Sequence, residues 1–334
     1  MSSWARCHIT PSCSRCCCCW RCSRGWRFGC PASSRSAMIF ASPPVRELRL
    51  QSRLPDLLRC GRSSPWAEER LQGAHLDAFL EGPCMLPDGS LLVTDIPFGR
   101  ILRLAPDGDW SVAYDYDGWP NGMRLGRDGQ LLIADHRVGL IRLELAGQAR
   151  RVLMDQFEGQ PLHGLNDLVL APDGGVFTTD QGGSGLDAPY GRLLYRSAAG
   201  ETSCLLGGLA GPNGLVASED GRTIFLALTR ANAIWRLPLV EGPRIQKAGL
   251  FLQLSGGIGP DGLAWCTRSK TLLVVHPGMG VWQFDASGRP LALHAAPGAD
   301  YLTNLVEAQP ASGRFLVTES LRAEVYALET GRSD

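Results

Sequence analysis

The hydrophobic positions of this chain fall in short runs of four to six residues, and the runs recur. Six of them are nearly continuous: Leu91-Leu92-Val93-Thr94-Asp95, Leu131-Leu132-Ile133-Ala134-Asp135, Val176-Phe177-Thr178-Thr179-Asp180, Ile224-Phe225-Leu226-Ala227-Leu228, Leu272-Leu273-Val274-Val275-His276 and Phe315-Leu316-Val317-Thr318-Glu319. A turn such as Pro87-Asp88-Gly89 precedes each run, and a third apolar run usually follows. Runs this short, punctuated by Asp-Gly, Asn-Gly or Ser-Gly, predict strands rather than helices.

Ahead of each run stands a second repeated stretch. Gly211-Pro212-Asn213-Gly214-Leu215 has near copies in Trp119-Pro120-Asn121-Gly122-Met123 and Gly259-Pro260-Asp261-Gly262-Leu263. Weaker copies are Gly164-Leu165-Asn166-Asp167-Leu168, Leu302-Thr303-Asn304-Leu305-Val306 and Leu80-Glu81-Gly82-Pro83. The six acid or amide positions are 40, 45, 47, 48 and 43 residues apart. That period, built from several short strands, is the signature of propeller blades. The chain is therefore expected to be all-β, a six-bladed β-propeller. Equivalent positions of a radial repeat lie on one circle. Glu81, Asn121, Asn166, Asn213, Asp261 and Asn304, each just before the first strand of its blade, are thus expected around the mouth of the axial channel.

Composition refines this picture. The repeats fill residues 81–334, residues 47–80 read as a lead-in that could add a strand to the last blade, and residues 1–46 stand apart. This first segment holds seven arginines, no acidic residue and eight of the twelve cysteines. It lacks the spacing of a zinc finger and the apolar core of a secretory signal, and is read as disordered or non-native, with Met38 a candidate start. The remaining cysteines, Cys60, Cys84, Cys204 and Cys266, are scattered, as in a reduced cytoplasmic protein. Basic and acidic residues balance at 33 each, which gives no reason to expect nucleic acid or an anionic membrane as partner. A monomer or weak dimer acting on a small molecule is expected.

Glu, Asp and Asn around one point offer only oxygen donors. That set suits one hard divalent cation, Ca²⁺ before Mg²⁺, whereas zinc would want His or Cys. A cation beside an unshared carboxylate suits hydrolysis. Of the histidines, His163 lies three residues before a ring position and is expected to reach the site. The acids that end the second strands (Asp95, Asp135, Asp180, Glu319) are expected to cap strand ends and bond loop amides.

The ordered set Glu-Gly-Pro, Val-Thr-Asp-Ile-Pro, Leu-Asn-Asp, Pro-Asn-Gly-Leu and Pro-Asp-Gly-Leu resembles the regucalcin/gluconolactonase/luciferin-regenerating enzyme family over residues 60–329. The resemblance implies a metal-dependent lactonase. It places metal ligands on Glu81, Asn213 and Asp261, with Asn166 a fourth ligand or substrate contact. Asp261 and/or a metal-bound water would be base or nucleophile, and Asn121, His163 and Asn304 would contact substrate. Mn²⁺ or Zn²⁺ could replace Ca²⁺ in vitro. A phosphotriesterase-like activity and a non-catalytic calcium-binding scaffold are the alternatives. Two departures stand out. The family's sugar-lactone hydrolases often carry an Arg two residues before the Asn of blade three, where this chain has Gly164, leaving His163 or Arg137 as replacements. Related diisopropyl fluorophosphatases use an Asp for a second calcium where this chain has Ala264, which implies one strong site, with His276 leaving a weak second.

Overall fold

The computed structural model describes residues 42–331; the reading of residues 1–41 lies outside them. Six antiparallel sheets follow one another along the chain. Blade one is representative, with strands Leu80–Met85, Leu91–Asp95, Arg100–Leu104 and Trp110–Asp115. The second strands are apolar on both faces because each blade is covered on both sides. Leu91 and Val93 pack towards blade six, while Leu92 between them packs towards blade two. Six apolar clusters result, one at each junction between neighbouring blades.

The segment before the repeat closes the ring. Strand β1 (Val45–Glu47) adds to blade five as a parallel fifth strand, and β2 (Arg49–Arg53) supplies the outer strand of blade six. Leu48 between them is buried among blades five and six, and Leu54 between six and one. Since Val45 and Arg46 belong to β1, the boundary set at residue 46 moves back to about residue 43. Helix α1 (Pro65–Leu71) follows, capped by the Ser64 hydroxyl, which accepts from the Ala67 amide at 3.2 Å. It packs over blade one, Trp66 against Phe79 with ring centroids 4.9 Å apart.

The innermost strands differ from expectation in one respect. Five of the six ring residues sit inside the first strand, and only Asp261 precedes its own, Leu263–Cys266. In those five strands the register with the second strand slips at the ring residue, as between Glu81 and Cys84. A bulge re-aims a side chain out of the strand's alternation, and here it points the residue at the axis. In four blades, close approach around that axis excludes a side chain from the next position, which is glycine. A Cβ on Gly122 would lie 2.3 Å from Asp167 Oδ1, and one on Gly262 2.3 Å from Asn304 Oδ1.

Candidate active site at the channel mouth

A cavity of about 220 Å³ opens at one end of the axis. Glu81, Asn121, Asn166, Asn213 and Asp261 line its floor. Asn304, expected to touch substrate, does not line it: its amide lies behind the floor and donates to Glu81 Oε2 at 3.0 Å, which makes it a positioning residue. His163 is also absent from the lining. It is exposed and packs edge-on against Tyr190 at 5.0 Å. Arg137, the other replacement considered at Gly164, is held outside by Asp117.

The amides of two floor residues are oriented from behind. Asn166 Nδ2 donates to Gln181 Oε1 at 3.2 Å and Asn213 Nδ2 to Thr229 Oγ1 at 3.1 Å, and neither carbonyl oxygen has a donor among the described residues. Glu81 is almost fully buried and accepts from the Gly82 amide as well as from Asn304. Burial, and then the charge of Asp167, push its carboxyl up to about 7. Asp261 keeps part of its surface on the cavity, yet burial, Glu81 and Asp167 raise its carboxyl well above the ordinary range. Carboxylates so close repel one another unless a cation lies among them.

Asp167 was not foreseen. It sits on the axis where four blades have glycine after the ring residue, it is buried, and its Oδ2 has no hydrogen-bond partner. Among the described residues the one countercharge beside it is Arg124, with Nη2 at 3.5 Å from Oδ1. With all three acids ionised, the carboxylates against one guanidinium would carry a net charge of about −2, which a divalent cation would cancel. With amide and carboxylate oxygens as the only donors, the floor fits a hard divalent cation. Among the described residues no group of three or more His, Cys, Asp or Glu forms a metal cage by itself, so the Asn oxygens would have to take part.

The acids that end the second strands bond loop amides, as expected. Asp95 Oδ1 accepts from the Phe79 amide at 2.9 Å, Asp180 Oδ1 from Gly164 at 2.9 Å, and Glu319 Oε1 from Tyr301 at 3.1 Å. Each amide lies two or three residues before a ring residue, so these carboxylates hold the approach to the floor in place. Asp135 instead caps its own turn, accepting from Arg137 and Val138.

The walls bring further residues the repeat could not announce. Helix α1 contributes Trp66 and Arg70, and blade two contributes His136. The His136 ring stacks on Trp119 at 6.0 Å and fills the space over Gly164, whose Cβ would lie 2.4 Å from it. Its Nε2 meets Arg70 Nη2. A guanidinium can only donate, so His136 is neutral and accepts through Nε2. Burial and the Arg70 charge accordingly push its pKa down to about 4.

Residues 79–320 match the family model described as the SMP-30/Gluconolactonase/LRE-like region. The gluconolactonase of Zymomonas mobilis is 26% identical over 257 residues, spanning 67% of this chain and 71% of that protein. Two solved structures superpose closely. A gluconolactonase from Xanthomonas campestris is 22% identical, with a TM-score of 0.68 over 84% of this chain and 99% of its own. The calcium-binding protein regucalcin from Agrobacterium tumefaciens is 20% identical, with a TM-score of 0.68 over 86% and 95%. Both share the propeller fold. Among the described residues no helix is long and apolar enough to cross a membrane, and Cys60, Cys84, Cys204 and Cys266 are unpaired.

Proposed function

The chain belongs to the SMP-30/gluconolactonase/LRE-like family, and on that premise we propose that it hydrolyses a small lactone at the channel mouth. The observation that carries this reading is the convergence of Glu81 and Asp261 with Asn121, Asn166 and Asn213 on the lining of one cavity. Glu81, Asn166, Asn213 and Asp261 would hold a divalent cation, Ca²⁺ by donor type, which when bound polarises the ester carbonyl and keeps both acids ionised.

Asp261, the acid of the pair with surface on the cavity, takes the proton of an attacking water as the water oxygen bonds to the lactone carbonyl carbon. Collapse breaks the ring C–O bond, and the proton passes to the departing alkoxide, leaving an open hydroxy acid. Glu81, fixed by Gly82 and Asn304, keeps its place throughout. Asn121 faces the same cavity and is available to the substrate.

The test strips the protein with chelator and follows ring opening of aldonolactones as Ca²⁺, Mg²⁺, Mn²⁺ or Zn²⁺ is restored. Asp261→Asn should lower kcat by about 10²–10⁴-fold, the usual contribution of a positioned base, while calorimetry still detects metal binding. Metal uptake with no turnover of any lactone would remove the lactonase reading, and turnover of phosphotriesters alone would replace it.

A further inference from the structure

Arg70 is the one cation that helix α1 sends into the cavity wall, and most of its donors are unused. Nη2 meets His136 and, at 3.0 Å, Glu69 Oε1. Nε and Nη1 have no acceptor among the described residues. Nη1 faces Gly183, in the loop between strands Val176–Asp180 and Gly191–Arg196, 3.9 Å from where a Cβ would stand. Glu69 is half exposed, and an exposed pair between chain neighbours adds little to stability. The helix also docks through Trp66 on Phe79 and through Ala67, which is buried with Ile96 and Trp119. The seat of the helix therefore does not rest on Arg70 alone, and the direction of its guanidinium is set by the neutral, half-buried His136. A second guanidinium, Arg230, lines the cavity from the blade-four rim and lies across Gly211, where a Cβ would be 2.7 Å from Arg230 Cγ.

A guanidinium at the wall of a small cavity, with two donors unfilled, selects a planar or tetrahedral anion. Without such a group, a neutral polyol lactone would leave those donors to water. We infer that the substrate is a lactone carrying a negative group, carboxylate or phosphate, remote from the scissile ester, and that Arg70 binds this group with Arg230 drawing it in. The inference rests on the lactonase reading and narrows its substrate class. It also accounts for Gly164: the space over it holds His136, and the guanidinium reaches the cavity from outside the repeat.

The experiment compares kcat/KM on the metal-loaded protein for three lactones of one ring size: a monolactone of a sugar diacid, a phosphorylated aldonolactone and a neutral aldonolactone. One anionic lactone should exceed the neutral one by about 10- to 100-fold, the usual worth of a charge-assisted hydrogen bond, chiefly through KM. Which one does so identifies the anion. The preference should shrink in 0.5 M NaCl. Arg70→Gln should bring the ratio close to one, with Arg70→Lys between and Arg230→Gln losing less. Equal rates for all three in the unaltered protein overturn the inference and leave the lactonase reading intact. If no lactone is opened, calorimetry on the same protein still decides. Tighter binding of a sugar diacid or phosphosugar acid than of an aldonate, abolished by Arg70→Gln, supports the anion site, and equal affinity removes it.

Discussion

Glu81 shows how much of this site is electrostatic. In the metal-free protein its carboxyl stands at about 7 against an ordinary 4.5, because burial and Asp167 disfavour the charge. The folded state therefore keeps a proton that the unfolded chain gives up between those values, and stability falls as pH rises through about 7. His136, held at about 4 against 6.5, acts in the opposite sense below pH 6.5. In chelator, the melting temperature of the unaltered protein should therefore rise from pH 8 to 6.5, while Glu81→Gln shows a flatter profile. Saturating Ca²⁺ should flatten the unaltered protein as well. A slope identical in both proteins would show that Glu81 is ionised without metal. Single residues are also where the sequence was least legible. Asn304 has the register of a ligand but lies one layer behind, and His163, near a ring residue in the chain, faces away from it. Asp167 did carry a signal, an acid at a position that is glycine in four blades, which gains meaning only once the axis is seen to be crowded.

At the scale of the element, the floor depends on short carboxylate braces. Asp180 is fully buried, with Oδ2 held by Arg192 at 2.5 Å and Oδ1 by the Gly164 amide. Arg192→Leu would leave that charge buried without its partner and should cost about 3–5 kcal/mol in urea denaturation. A loss below about 1 kcal/mol would mean that water reaches Asp180. These braces were legible as turn-capping acids, because Asp at a strand end commonly bonds loop amides. That they anchor the residues just before the ring was not, since strand pairing decides which amide lies opposite.

The whole molecule is closed by its beginning. β2 is the outer strand of blade six, and β1 lies on blade five, so the ring is fastened by pairing between distant parts of the chain. A chain starting at residue 42 retains every described strand. One starting at residue 55 lacks β1, β2, Leu48 and Leu54, and should melt at least about 10 °C lower or fail to unfold cooperatively, given the apolar area lost from two junctions. Equal melting temperatures would show that the ring closes without the strap. The period of 40 to 48 residues determined the blade count, the all-β class and a circle of polar residues. A repeat does so because it imposes one local geometry six times, and closure then follows from burying both faces of every blade. Only the tertiary structure decided which of those residues face the cavity, how Asp167 and Arg124 set the charge on the axis, and that Arg70 and His136 form a wall. Those groups come from outside the repeat or break its pattern, and they meet only when helix α1 docks over the mouth and the inner strands bulge towards the axis.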